Sequence, residues 1–166
     1  MKNPMQFEKD IANLKLTVVR EFDAPVDLVW KAWTVSEILD KWWAPKPYRN
    51  ETVSMDFREG GRWLYSMISP KGERHYCRAD YIEIKPETFF SYIDCFCDEK
   101  GNATSELPNM NWNNHFEQSG DVTRVRIYIK FKSKENLEEI IKMGFQEGFT
   151  MGMDNLDEYL ASVQSK

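Results

Sequence analysis

The sequence has no excess of basic residues, few cysteines and no long apolar run, and each shortage excludes a class of protein. Lysine and arginine number 22 against 27 aspartate and glutamate residues, so the net charge of −5 gives no support for nucleic-acid binding. No run of about 18 apolar residues is present, so we expect no membrane span. The N-terminal segment lacks the apolar core of a signal peptide, and three cysteines cannot complete a disulfide framework. We therefore predict a cytoplasmic protein with reduced cysteines.

The common motifs of catalysis and metal binding are also missing. The sequence contains no nucleophile elbow, phosphate-binding loop, zinc-protease motif or dinucleotide fingerprint. The two histidines, His75 and His115, have no recognisable nucleophile partner, and we predict structural or surface roles for them. Cys77, Cys95 and Cys97 lack the usual spacing of a structural zinc site, which predicts buried free thiols. We therefore predict no catalytic residue, no metal and no cofactor.

The sequence does not determine the strand register of the hairpin that carries these cysteines. A two-residue turn at Pro86 and Glu87 would place Cys77 opposite Phe96, with the other two cysteines on the opposite face. A shift of one residue would reverse that arrangement. Asp80 and Asp94 lie on the same two strands and could pair as acid and base, but strand carboxylates are more typical of a solvent face.

Aromatic residues are abundant and the order of predicted elements is clear. Aromatics make up 14% of the chain and hydrophobic residues 42%, which is typical of a folded domain with a sizeable core. Short turns separate the predicted strands, so the strands must be antiparallel. The pattern predicts an α+β fold. We predict a lead-in at 1–13, loose or helical, and a single domain at 14–166. Within that domain we expect a strand at 14–22, two short helices, about six further strands and a final helix at 134–163.

Three glycines lie at four-residue spacing in the predicted final helix, on its apolar face: Gly144, Gly148 and Gly152. Each glycine inside a helix costs roughly 1 kcal/mol relative to alanine. Either the helix backbone packs closely against a sheet, or the missing side chains leave space for a ligand. The two interpretations are compatible, and the sequence does not choose between them.

Aromatic and methionine residues on the predicted strands would face these glycines across the sheet. Trp42 and Trp43 are adjacent at a helix end, so we expect one of them to lie at the rim rather than in the core. A simple packed core is the alternative to a cavity. The predicted ligand-binding residues are Trp43, Met55, Phe57, Trp63, Tyr65, Met67, Phe145, Gly148, Phe149 and Gly152.

Four stretches in the same order carry a family resemblance. They read VVREFDAPVDLVWKAWTVSEILDKWWAP, DFREGGRWLY, IKPETFFSY and MGFQEGFTMGMDNLDEYL, and together they span about 16–160. The chain resembles the proteins related to activators of the ninety-kilodalton heat-shock protein ATPase, in the START-like or SRPBCC superfamily. The resemblance implies a helix-grip fold. In that fold a curved antiparallel sheet of about six to seven strands wraps a long C-terminal helix, with two short helices after the first strand.

The resemblance also implies a deep cavity between that helix and the sheet. We expect a small hydrophobic ligand there, without catalysis. Alternatives are a co-chaperone that stimulates the heat-shock ATPase, or a polyketide cyclase-like or hydrolase-like enzyme using Tyr65, Tyr128 or His75. The expected partner is a small hydrophobic molecule in the cavity, and a chaperone is the partner in the co-chaperone alternative. No nucleic-acid partner is expected. The protein is expected to be a monomer or homodimer.

Overall fold

The computed structural model describes residues 3–104 and 109–165, which form one antiparallel sheet and four helices. The sheet order is β1-β2-β8-β7-β6-β5-β4-β3. No helix in this described part of the chain is long and apolar enough to cross a membrane. The elements are β1 (Gln6–Asp10), β2 (Lys15–Phe22), α1 (Val26–Thr34), α2 (Ser36–Trp42), β3 (Arg49–Met55), β4 (Arg62–Ile68), β5 (Arg74–Lys85), β6 (Phe89–Cys97), β7 (Met110–Ser119), β8 (Val122–Lys130), α3 (Lys134–Lys142) and α4 (Phe145–Gln164).

The predicted α+β helix-grip class is confirmed, with eight strands rather than six or seven. The additional strand is β1, which pairs with β2 at the sheet edge, where we predicted a lead-in. Its side chains are mostly exposed, and its sequence QFEKD shows no alternation of apolar and polar residues. An edge strand needs little apolar alternation, and this one therefore left no clear signal in the sequence.

Alternation of apolar and polar residues places the core on one face of the sheet. Leu16 and Val18 of β2 and Val125, Ile127 and Ile129 of β8 are fully buried. Their neighbours along each strand are more exposed. Four residues of α4 cover this face at helical spacing and are buried with them: Phe149, Met153, Leu156 and Leu160.

The final helical segment is divided, and the prediction of one continuous helix is wrong. α3 ends at Lys142, α4 begins at Phe145, and Gly144 between them has a φ of +89°. That left-handed conformation is open to glycine at little steric cost. Gly144 is therefore the hinge between two helices rather than a helix-interior residue.

A buried arginine holds α4 against the sheet. Arg20 of β2 occupies the inward row that Leu16 and Val18 share, and it is 1% exposed. Its guanidinium lies 2.7 Å from Asp154 and 3.7 Å from Asp157, both on α4. The ion pair fixes where the helix crosses the sheet, which in turn positions the first turns of α4 at the cavity described next.

Candidate functional site

An apolar cavity of about 200 Å³ lies between the N-terminal half of α4, the end of α2 and the strands from β4 to β7. Aromatic and methionine side chains supply most of its wall. The polar groups at its wall come from three residues on the sheet: Tyr65, Cys77 and Asp94. The described residues that line it are Trp43, Pro45, Tyr65, Met67, Cys77, Asp94, Phe96, Met110, Trp112, Phe145, Gly148 and Phe149.

Trp43 joins the short helices to the cavity. Its indole N–H donates to the Tyr65 hydroxyl at 3.2 Å, and its ring packs edge-on against Phe149 at 6.0 Å. Trp42 is also buried, and its indole N–H donates to the Ala32 carbonyl at 2.8 Å. The expectation that one of these two tryptophans lies at the rim is therefore wrong. Trp43 is the C-cap residue of α2, and its ring meets that of Trp42 edge to face at 5.3 Å.

The two glycines inside α4 have different surroundings. A Cβ atom at Gly152 would lie 3.3 Å from the Trp43 carbonyl oxygen and 3.6 Å from that of Trp42. Gly152 is thus a close contact between two backbones. A Cβ atom at Gly148 would meet only the Pro45 ring, at 3.8 Å, and Gly148 lines the cavity. Of the two interpretations left open by the sequence, close backbone packing applies to Gly152 and open space for a ligand applies to Gly148.

The structure brings together six of the ten predicted ligand-binding residues. Those around the cavity are Trp43, Tyr65, Met67, Phe145, Gly148 and Phe149. Met55, Phe57, Trp63 and Gly152 are not part of its lining. That the first six bind a ligand stays a prediction.

The outlying residues are taken up by packing on the same side of the sheet. Trp63 stacks on Tyr65 at 3.9 Å and donates to the Thr52 hydroxyl at 3.0 Å. Phe57 packs in a separate aromatic group, 4.8 Å from Tyr81 and 5.5 Å from Phe90. These residues share a face with the cavity but lie further along the strands.

The sequence predicts that Val53, Met55 and Phe57 share one strand face, because they alternate with Ser54 and Asp56. A bulge in β3 breaks that alternation. Thr52 pairs with Tyr65 and Ser54 with Leu64, so one extra residue lies between two successive pairs. Val53 is that residue and is 53% exposed. It therefore does not share an inward face with Met55, as the two-residue period suggested.

The hairpin of β5 and β6 turns Cys77, Asp94 and Phe96 toward the cavity. Cys77 pairs with Phe96, as a two-residue turn would require. The turn itself is longer, because Lys85 pairs with Phe89, and a bulge before Ile84 restores the register. Cys95 and Cys97 consequently lie on the other face, and all three cysteines are free.

Among the residues that the structure describes, Asp94 is the only carboxyl group in the cavity wall. It is half-buried, its Oδ1 accepts the Met110 backbone N–H at 3.1 Å, and its Oδ2 accepts the Trp112 indole N–H at 2.9 Å. Burial raises the pKa of Asp94 to about 7, and these two hydrogen bonds oppose the rise. This carboxyl group therefore changes its charge near neutral pH.

The other two polar groups of the wall hold their protons at neutral pH. Burial raises the pKa of Tyr65 well above its ordinary value and that of the Cys77 thiol to about 12. The lining residues within 3–104 and 109–165 include no lysine, arginine or histidine. In this part of the chain the cavity wall is thus apolar, with one ionisable acid and no cation.

Sequence reasoning missed Asp94, Met110 and Trp112. Asp94 was assigned to a solvent face, although it falls in the same alternating row as Phe90, Tyr92 and Phe96 of β6. That row was the available signal. Met110 and Trp112 lie within 102–119, the segment where the family resemblance is weakest, and no signal marked them.

The remaining residues considered for catalysis lie apart from the cavity. His75 is exposed, with its ring 6.3 Å from that of Tyr48, and Tyr128 packs near His115 at 5.6 Å. Asp80 pairs with Arg78 at 3.0 Å on the face opposite Asp94, so these two carboxyl groups do not form an acid–base pair. Within residues 3–104 and 109–165, no three His, Cys, Asp or Glu side chains form a group that could hold a metal ion.

A larger depression, about 470 Å³, lies near β1, β2 and β8 and is predominantly polar. Its walls include Glu21, Arg124 and Arg126. Arg124 is already paired with Glu21 at 2.9 Å, and both side chains are exposed. An open, charged surface of this kind is a weaker candidate for a small-molecule site than the apolar cavity.

Comparisons with known proteins agree on the family. The family model of the Activator of Hsp90 ATPase homolog 1-like proteins matches residues 23–161. Protein Ms6760 from Mycobacterium smegmatis is 30% identical, with 95% of this chain and 97% of that chain covered and a TM-score of 0.87. A protein from Arthrobacter aurescens is 28% identical over 95% of this chain and 91% of that chain, with a TM-score of 0.90. A search of curated proteins gives no match.

The matched region runs from the end of β2 to the last turn of α4 and includes every residue of the cavity wall. The helix-grip architecture is that of the START-like, or SRPBCC, superfamily. The chain therefore belongs to the family of Activator of Hsp90 ATPase homolog 1-like proteins.

Proposed function

We propose that the protein binds one small, mainly apolar molecule in the cavity between α4 and the sheet. The observation that carries this proposal is the aromatic and methionine wall around Gly148, where α4 presents no side chain. Rigid aromatic walls and adaptable methionines suit a flat apolar ligand. A binding function needs no catalytic group.

The size of the cavity limits the ligand. An apolar cavity of about 150 Å³ is enough to bind benzene, and this one measures about 200 Å³. Pockets for drug-sized molecules are usually larger, at about 300–1,000 Å³. One or two fused rings therefore fit the cavity, whereas a whole sterol or phospholipid would require the walls to move apart.

Titration with 2-methylnaphthalene tests this proposal, with the backbone amide of Gly148 and the indole N–H of Trp112 followed by NMR. Saturable shifts of both signals are expected. The variant Gly148→Met places a side chain into the cavity and should abolish binding while remaining folded. Gln146→Met adds the same side chain at an exposed position of α4 and should leave binding intact. Unchanged binding by the Gly148 variant would refute the proposed site.

The family match favours a second candidate, stimulation of the ninety-kilodalton heat-shock protein ATPase. An ATPase assay with the chaperone from the same organism tests it, and stimulation that saturates with added protein is the expected result. No change in rate at saturating protein would dismiss this candidate without affecting the first. Gly148→Met should stimulate as well as the wild type if the two functions use separate surfaces.

A further inference from the structure

We propose that Asp94 is the polar anchor of the cavity: its carboxylate accepts a hydrogen bond from a hydroxyl or N–H group on an otherwise apolar, uncharged ring. This inference rests on the proposed function, since it names the ligand class of the same cavity. It assigns to Asp94 a role in choosing the ligand rather than in chemistry.

The hydrogen bonds around Asp94 leave room for one more donor. An ionised carboxylate offers about four acceptor positions. The Met110 N–H and the Trp112 indole N–H occupy one on each oxygen, at 3.1 and 2.9 Å. Because Asp94 also lines the cavity, a ligand donor can reach an acceptor position that the protein leaves unfilled. Filling it is favourable, since hydrogen bonds to a buried charge are stronger than neutral ones.

Trp112 links this anchor to the apolar wall. Its ring lines the cavity and packs 5.4 Å from Phe149, while its N–H holds one oxygen of Asp94. The Asp94 carboxylate and the aromatic surface of the wall therefore hold fixed positions relative to each other. A ring that packs on this wall and carries a donor at its edge matches both features.

The charge of the wall excludes the opposite ligand class. A ligand carboxylate would meet Asp94, and the described lining residues include no lysine, arginine or histidine to neutralise it. Two like charges in an apolar site repel each other strongly. The geometry thus favours a phenol-like or indole-like molecule over a fatty or aromatic acid.

Three probes of nearly the same shape test the anchor: 2-naphthol, 2-methylnaphthalene and 2-naphthoate. The wild type at pH 8 should bind 2-naphthol about tenfold more tightly than 2-methylnaphthalene, and 2-naphthoate most weakly. In Asp94→Asn the preference for 2-naphthol should fall to less than about threefold, and 2-naphthoate should bind better than it does to the wild type. Asp80→Asn, on the outer face of β5, should keep the wild-type order.

The preference for 2-naphthol over 2-methylnaphthalene can also be measured against pH in the wild type alone. The titratable groups near Asp94 are Tyr65 on β4, Cys77 on β5 and Tyr92 on β6, and burial raises the pKa of each above its ordinary value. β7 and α4 face it with the uncharged residues Met110, Trp112, Phe145 and Phe149. Protonation of Asp94 should therefore govern the response: from pH 8 to pH 5 the preference for 2-naphthol over 2-methylnaphthalene should decline several-fold.

The outcomes separate this inference from the proposed function. If none of the probes binds, the proposed function fails and the anchor fails with it. If 2-naphthol and 2-methylnaphthalene bind equally at pH 8, and Asp94→Asn or acid changes nothing, the cavity binds ligands but the anchor is refuted. A preference that is lost in Asp94→Asn or at pH 5, but kept in Asp80→Asn, supports it.

Discussion

Ionisation of Asp94 should make the folded protein less stable at alkaline than at mildly acid pH. The ordinary pKa of this carboxyl group is 3.8, and burial raises it to about 7 in the folded protein. The unfolded chain therefore releases this proton more readily than the folded one between these values. The contribution of Asp94 to stability is fully present below pH 3.8 and is lost as pH rises through about 7.

The size of the effect follows from the two pKa values. Each pKa unit corresponds to roughly 1.4 kcal/mol, so the whole shift represents about 4 kcal/mol above pH 7. Between pH 5 and pH 8 the free energy of unfolding should fall by roughly 2–3 kcal/mol because of this group alone. That is a large part of the roughly 5–15 kcal/mol that stabilises a typical domain.

Urea denaturation at several pH values between 5 and 8 measures this change, with Asp94→Asn as the comparison. The asparagine variant should lack roughly 2–3 kcal/mol of the wild-type decline. Its absolute stability is a separate matter, since one of the two N–H donors then meets an amide nitrogen. Asp80→Asn is the matched control on the outer face and should decline like the wild type.

Other titrations do not imitate this result. The pKa values of Asp10, Glu51 and Asp98 are lowered by hydrogen bonds, so their contributions to stability are lost only as pH falls below about 4. Burial lowers the pKa of His115. This histidine is present in the wild type and in both variants, so it cannot cause a difference between them. Equal pH dependence of the wild type and Asp94→Asn would refute the assigned environment of Asp94.

Urea denaturation of two sets of variants tests two further predictions. Among the glycines, Gly148→Ala should stabilise by up to about 1 kcal/mol. Gly152→Ala should gain nothing, because the new methyl group crowds a backbone carbonyl, and Gly144→Ala should lose about 1–2 kcal/mol at its positive φ. An equal gain at all three would contradict these separate roles. For the buried ion pair, Asp154→Ala should destabilise by about 3 kcal/mol, because it leaves the buried Arg20 without its 2.7 Å partner and with only the longer 3.7 Å contact to Asp157. Arg20→Met should be close to neutral, and comparable losses in the two variants would contradict this account.

The strands of the core could be read from the sequence because their pattern is locally determined. The clearest case is β8, where Val125, Ile127 and Ile129 alternate with Arg124, Arg126 and Tyr128. The break at Gly144 could not be read this way. The helical period of apolar residues continues through it, and a glycine looks the same inside a helix and at a left-handed junction.

The candidate site was only partly predictable because a cavity depends on distance along the strands as well as on face. Trp63 and Phe57 lie on the expected side but are used in packing, whereas Met110 and Trp112 enter from a strand whose register was unknown. Asp94 was misplaced because a charged residue in an inward row contradicts the usual pattern. Such an exception marks the kind of position where function departs from packing.

Intermolecular NOEs between 2-methylnaphthalene and the wild-type protein test the central claim most directly, because they locate the ligand as well as detect it. Binding in the cavity predicts NOEs from the naphthalene ring to side-chain protons of Met110, Trp112 and Phe149. NOEs confined to the outer face of β2 and β8, or none at saturating ligand, would contradict the account.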